Sequence, residues 1–265
     1  SAGRNRTLAI KRFEALEIPL PPIGEQRRVA RRLDSIFVSR QELDRRSSSA
    51  DEMASALAIS IANRPDLSDV AKASLGWTKT DLASILTPAT DPVDVEPDRS
   101  YPNVGIRSFG NGVFRKPDIA GSATSARRLH RVRAGQIIYS RLFAFEGAYG
   151  LVTPEFDGHF VSNEFPTFEV DGDSADAHWL VTYLRSPDRW SEIATSSTGL
   201  GVRRRRVPVE AVLAHAVWLP PLLQQRAMVG LLDRLQLTSD ARSAAQKRVE
   251  ALLPSAVNLA FPSAG

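Results

Sequence analysis

Nine lysines and arginines stand between Arg99 and Arg141 against a single acid, Asp118. Arg107, Arg115, Lys116, Arg127, Arg128, Arg131, Arg133 and Arg141 are interleaved with Tyr101, Phe109, Phe114, His130 and Tyr139. A second basic run follows at Arg203, Arg204, Arg205 and Arg206. Charge of one sign gathered in a segment suits a polyanion. A guanidinium fork can bind guanine O6 and N7 together, and any of these cations can pair with phosphate. For a single arginine, phosphate contact or no contact is a commoner role than base reading. The bland reading is a solvated surface with internal ion pairs. The run from Ser122 to Arg131 reads as a loop whose hydroxyl and N–H groups suit a phosphate.

The same chain lacks the residue patterns of common catalytic centres. Pro21-Pro22 and Pro220-Pro221 have neither the preceding acid or amide nor the following aromatic of a base-holding methyltransferase loop. None of the five lysines has Asp or Glu two places before it, as a metal-dependent nuclease would require. No Gly-Lys-Ser/Thr phosphate loop is present. His130, His159, His178 and His215 lie far apart, so no metal site and no cofactor is expected. Eight acids and no Lys or Arg lie between Glu146 and Asp176. Within them Asp171-Gly-Asp-Ser-Ala-Asp176 has the look of a calcium loop. It lacks the glutamate at the twelfth position, where Thr182 stands, and reads as a solvated turn ahead of a helix.

Composition narrows the class further. The chain of 265 residues has no cysteine, which removes disulfides and thiolate chemistry and fits a reducing cytoplasm. No apolar run approaches the roughly 18–20 residues that cross a bilayer, so no membrane partner is expected. Net charge is +4, so the basic character lies in its placement more than in its total.

The elements that must position the cations are announced by a repeat. An offset of 199 residues lays Pro21-Pro22 on Pro220-Pro221, Gln26-Arg27 on Gln225-Arg226 and Leu33-Asp34 on Leu232-Asp233. After each Pro-Pro the pattern turns helical. The first copy carries Leu33, Ile36, Leu43, Ala50, Met53, Leu57 and Ile61 at close to a 3.5-residue spacing. Some 40 residues make roughly 60 Å of helix. The second copy carries Leu231, Leu235, Ala245, Val249, Leu252, Ala256 and Leu259, with Pro254 expected to kink or end it late. The two stripes predict an antiparallel helical pair, in coiled-coil fashion, the alternative being that each helix lies on the globular domain instead.

Between the helices the texture is β-type. Short runs at Val104, Gly112, Gln136, Ala148 and Thr167 alternate with Gly, Pro, Asn and Asp turns, and a helix is predicted from Ala177 to Arg185, continuing after Pro187. Phe143, Phe145, Phe165 and Phe168 read as core. The fold class is α+β: one globular domain with a mixed, mostly β core, flanked by two long helices.

In this order the motifs resemble the specificity subunits of type I restriction-modification systems. Ile18-Pro-Leu-Pro-Pro-Ile-Gly-Glu-Gln-Arg27 leading into a long helix looks like their conserved region. Trp77 to Leu86 and Tyr101 to Gly112 are similar to the opening of their target recognition domains. Arg133-Ala-Gly-Gln-Ile-Ile-Tyr-Ser-Arg141 resembles a Gly-Asp-Ile-Leu strand with Gln136 where Asp is usual, and Ser196 to Gly201 resembles the turn before the second conserved region. The resemblance implies a tail of a preceding recognition domain at 1–22, a long helix at 23–64, a linker at 65–76, a recognition domain at 77–220 and a second helix at 221–262. It also implies a non-catalytic subunit that reads half of a bipartite site in double-stranded DNA. Methyltransferase subunits would dock on the helices, and a motor-nuclease subunit would join through the complex. A homodimer that rebuilds two recognition domains stays open. So does a different class of function, a protein-interaction adaptor that reads no DNA.

Overall fold

The computed structural model describes residues 22–195 and 206–260. The chain divides into two compact units, residues 53–237 and residues 1–52 with 238–265. The Pro-Pro step at 21–22 is described only from Pro22, and Arg203, Arg204, Arg205 and the turn at 196–201 lie outside the described residues.

The unit of 53–237 is α+β. The last turns of α1 (Ile23–Asn63) bring Ala62 into its core, and Asn63 donates to the Tyr183 carbonyl at 3.3 Å. Next comes α2 (Asp69–Ser74), capped by the Ser68 hydroxyl, which accepts from the Ala71 N–H. Strand β1 (Thr78–Asp81) pairs antiparallel with β11 (Ala216–Leu219). A four-stranded sheet runs in the order β2 (Leu86–Ala89), β10 (Thr167–Val170), β7 (Ile137–Tyr139), β8 (Tyr149–Leu151). A five-stranded sheet runs β3 (Pro92–Asp94), β6 (Arg128–Arg131), β9 (Phe160–Val161), β4 (Ser100–Ile106), β5 (Val113–Ala120), antiparallel except between β9 and β4.

Each β-type run of the sequence thus became a strand. Six further strands, β1, β2, β3, β6, β9 and β11, lie outside those runs, and at one of them the sequence reading is overturned: Arg128-Leu-His-Arg131, in the stretch that reads as a loop, forms β6. Its own pattern offers a single apolar residue, Leu129, and the ladder with β3 and β9 makes it a strand.

The main core lies on the four-stranded sheet. Tyr139 stacks between Tyr149 and Phe168, at 5.7 and 5.9 Å between centroids. Against them pack Trp179 and Leu180 of α3 (Ala177–Tyr183), Trp190 and Ile193 of α4 (Pro187–Thr195), and Val212 of α5 (Val209–Leu213). The predicted helix breaks before Pro187 into α3 and α4. Asp176 caps α3 by accepting from the His178 and Trp179 N–H groups, and Asp171 accepts from the Ser174 hydroxyl at 2.6 Å. The acids that mimicked a calcium loop are a turn and a helix cap. A smaller apolar cluster of Val104, Val132, Ile138, Val152 and Val161 draws on strands or flanking residues of both larger sheets.

Two of the four phenylalanines read as core are on the surface. Phe168 is 1% exposed and Phe165 half-buried, but Phe143 and Phe145 are 48% and 37% exposed. The short turn at Ala144–Glu146 buries Ala144 and leaves its neighbours outside.

The first turns of α6 (Leu222–Ala260) complete this unit. The Pro221 carbonyl accepts from the Gln224 and Gln225 N–H groups at 2.8 and 3.1 Å, just as the Pro22 carbonyl accepts from Glu25 and Gln26 at 2.8 and 3.1 Å. Gln225 is fully buried. It accepts from the Asp176 N–H at 2.8 Å and donates to the Ser174 and Pro220 carbonyls at 3.0 and 2.8 Å. Pro254 does not end α6, which continues to Ala260.

In the other unit α1 and α6 pair antiparallel. Ser239 donates to Asp51 at 2.7 Å, Arg242 lies 3.3 Å from Asp51, Gln246 bonds Asp44, and Arg40 lies 3.6 Å from Glu250. The α1 partners Arg40, Asp44 and Asp51 recur at spacings of four and seven, the seam of a helix pair. They are polar, and Leu43 from the predicted apolar stripe stays 49% exposed beside them. No described helix is long and apolar enough to cross a membrane.

Candidate nucleic-acid interface

The cations grouped by the sequence are divided by the sheet. Arg128 and Arg131 bound β6, while Arg115 and Lys116 lie on β5, three strands away in the order β6-β9-β4-β5. At about 4.8 Å between neighbouring strands the two groups stand roughly 14 Å apart.

Around β6 the neighbours are dictated by pairing with β3. The register sets Asp94 opposite Arg128 and Pro92 opposite His130, and Val95 donates to the Arg127 carbonyl at 3.0 Å. Side chains alternate along a strand, so Arg128 and His130 share the face opposite buried Leu129. They open onto a groove of about 790 Å³ whose walls include Thr90, Asp94, Arg127, Ser162 and Asn163. Guanidinium, imidazole, hydroxyl and amide groups therefore converge on one surface, a set able to bond phosphates and base edges alike. Thr90, Ser162 and Asn163 had no signal in the sequence, since loops remote in the chain bring them here.

Acids accompany several of the cations. Arg128 lies 2.8 Å from Asp94, Arg133 2.8 Å from Asp91, Arg115 3.1 Å from Asp118, and Arg206 2.9 Å from Glu164. Asp91 and Asp94 precede the basic block in the sequence and reach it only through β3. Other arginines lie over rings: Arg107 is 4.4 Å from the Phe114 centroid and Arg131 5.6 Å from that of Phe160. Arg107, Lys116, Arg127 and Arg131 pair with no acid among the described residues. Arg141 is half-buried, and its main chain bonds Glu164 and Val207 at 2.9 Å each. The groove thus gathers Arg127 and Arg128, and the other predicted cations among the described residues do not line it.

Gln136 shows how a departure in sequence is accommodated. Its side-chain carbonyl accepts from the Arg133 N–H at 2.9 Å, a role an Asp carboxylate also fills, and its amide donates to Glu169 at 2.7 Å. Gly135, at φ +89°, makes the tight turn before it.

His215 belongs to the core. It is 8% exposed and bonds the Tyr183 hydroxyl at 3.1 Å. Burial, and then the nearby Arg189 charge, pushes its pKa down to about 4, with Asp81 opposing. Among the described residues no group of three or more His, Cys, Asp or Glu side chains is placed to hold a metal ion.

A β-rich domain flanked in the chain by two long helices thus carries a cation-bearing groove. No family model matches the sequence, and no curated relative matches it. Solved structures do. A structure of complex assembly and conformational transition in a type I restriction-modification system is 18% identical, covers 93% of this chain and 61% of its own, and has a TM-score of 0.53. The S subunit of a type I system from M. genitalium is 11% identical over 97% of this chain and 66% of its own, with a TM-score of 0.52. The HsdS subunit from Thermoanaerobacter tengcongensis is 19% identical over 93% and 60%, at a TM-score of 0.48. The chain has the fold of type I specificity subunits and spans about 60–66% of the length of the chains it matches.

Proposed function

We propose that this chain is a non-catalytic, sequence-reading DNA-binding subunit of a type I restriction-modification complex. The observation that carries the reading is the shared fold, with TM-scores of 0.53 and 0.52 to structures from such systems. In this reading the domain of 77–220 contacts one half of a bipartite target in double-stranded DNA. The groove beside Arg127, Arg128, His130 and Asn163 is its first candidate surface. The long helices dock methyltransferase subunits, and their length sets the gap between half-sites. A motor-nuclease subunit joins through the assembled complex.

The adaptor reading keeps one observation in its favour: four of the predicted DNA-binding arginines already face acids. Selection from a fully randomised duplex pool, with the purified chain and its methyltransferase subunit, separates the two. Enrichment of a motif of a few base pairs is the expected result. Retention without any motif would make the chain a backbone binder, and no retention at low salt would leave the adaptor.

A further inference from the structure

Two hairpin loops are stitched together on the recognition domain. Arg107–Gly112 joins β4 to β5, and Ser140–Ala148 joins β7 to β8. The Phe109 N–H donates to the Glu146 carbonyl at 2.6 Å and the Gly110 N–H to the Gly147 carbonyl at 3.0 Å. The Ser108 hydroxyl donates to the Glu146 carboxylate at 3.0 Å, and that is the only acid in the two loops.

The stitched loops hold three phenylalanines outward. Phe109 is 67% exposed, Phe143 48% and Phe145 37%. Phe109 also has φ +61°, a left-handed conformation that bulky side chains rarely adopt. It is held there by tight packing on either side. A Cβ on Gly110 would come within 2.9 Å of Arg185, and one on Gly147 within 2.1 Å of Trp190. One side of the Phe109 ring meets the core at Trp190, 6.3 Å between centroids, and the rest of it, with Phe143 and Phe145, is left facing solvent, where an external partner can use it.

Cations select what that is. Arg107 begins the first loop, exposed and unpaired with acid among the described residues, and the Arg185 Nε behind Gly110 has no hydrogen-bond partner among them. Rigid aromatic rings beside cations fit a base step opened by a wedge, with phosphates alongside. We propose that Phe109, with Phe143 and Phe145, is a wedge that enters an unstacked base step of duplex DNA, Arg107 holding an adjoining phosphate. The proposal rests on the DNA-reading function above and adds recognition of deformability to it.

The test compares the full chain on a random-sequence duplex and on the same duplex with one central mismatched pair, which is already partly unstacked. The expected result is about tenfold tighter binding to the mismatched duplex. Phe109→Gly, which suits the positive φ, and separately Phe143→Ala, should bring the ratio close to one while each variant still melts as a cooperative fold. Equal, salt-sensitive binding of both duplexes by the wild type would overturn the wedge and leave DNA binding standing. A mismatch preference that survives both substitutions would also overturn it. Loss of self-association in Phe109→Gly, with the ratio unchanged, would make the patch a protein contact. Absence of any duplex binding at low salt would remove the wedge and the DNA-reading function together.

Discussion

Neighbouring side chains of one type do not carry equal weight here. Arg127 and Arg128 line the same groove, but only Arg128 has a carboxylate, Asp94, at 2.8 Å. A phosphate reaching Arg128 must displace an exposed ion pair worth less than about 1 kcal/mol, whereas Arg127 is free of that competition. Replacing both with Ala is expected to weaken duplex binding at least several-fold. Arg127→Ala should account for most of the loss, and Asp94→Asn should strengthen binding. Fluorescence anisotropy at about 50 mM salt checks all three, and unchanged affinity in the double variant removes the groove from the interface. His215 makes a second residue-scale case, in stability. Its folded pKa of about 4 lies below the ordinary 6.5, so the unfolded chain takes a proton that the folded chain refuses. Glu192, 3.8 Å away, is itself 48% exposed, and water screens it. Stability is therefore full above pH 6.5, declines as pH falls toward 4, and changes no further below that through this group. The difference amounts to as much as about 3 kcal/mol. His215→Leu, which copies Leu16 of the repeat, should lose less stability than the wild type between pH 7.5 and pH 5 in urea unfolding. Equal acid sensitivity in the two proteins would exclude His215 as the source.

Elements were legible where the signal is local and obscure where it is shared between distant segments. Pro-Pro followed by an uninterrupted polar-apolar run announces α1 and α6, because proline forbids helix before it and each later turn adds its own bonds. The strand at Thr167–Val170 is legible by its alternation. That it lies between β2 and β7 is not, because the contact that decides the order joins Phe168 to Pro88, 80 residues back. Strand β6 hid for the same reason, and so did the pairing of Arg128 and Arg133 with Asp94 on β3 and Asp91 just before it. Exposure of Phe143 and Phe145 depends on which residue of a short turn points inward, which composition does not encode. The repeat itself conceals a difference in use. Gln225 stands on Gln26 in the alignment, yet Gln225 is fully buried and ties the start of α6 to three main-chain groups of the domain. Gln225→Ala would leave the Asp176 N–H and the Ser174 and Pro220 carbonyls without that partner. The expected loss is about 2–4 kcal/mol, measured by chemical denaturation, since unsatisfied buried groups cost more than the net gain of a bond. A loss below about 0.5 kcal/mol would mean that water replaces the amide at no cost.

At the scale of the whole molecule, stability and charge are distributed unevenly. The helical unit is joined by exposed polar contacts such as Arg242 to Asp51 at 3.3 Å and Arg40 to Glu250 at 3.6 Å. The other unit encloses the aromatic core. Amides of 23–52 should therefore exchange with deuterium well before those of β4 and β7, and uniform exchange would show a single cooperative unit. Charge gives the stricter test. The net charge of +4 understates the basic block, and the block overstates the cations that are available. Arg107, Lys116, Arg127 and Arg131 are without acid partners among the described residues, whereas Arg115, Arg128, Arg133 and Arg206 have them. Each phosphate neutralised contributes about 0.9 to the fall of log affinity with log salt. If only the unpaired cations engage DNA, the slope is roughly −3 to −4; if the ion pairs also open, it approaches roughly −7. A chain lacking Arg203, Arg204 and Arg205, each replaced by Ala, confines the measurement to the cations counted above. A slope near −3 in that variant would mean that the internal pairs persist in the complex, so that Asp94 limits Arg128 as the groove geometry requires. A slope near −7 would mean that phosphate displaces the acids and that the sequence block acts as one surface after all. A slope near zero would leave the helical pair, and not the cations, as the functional part of the chain.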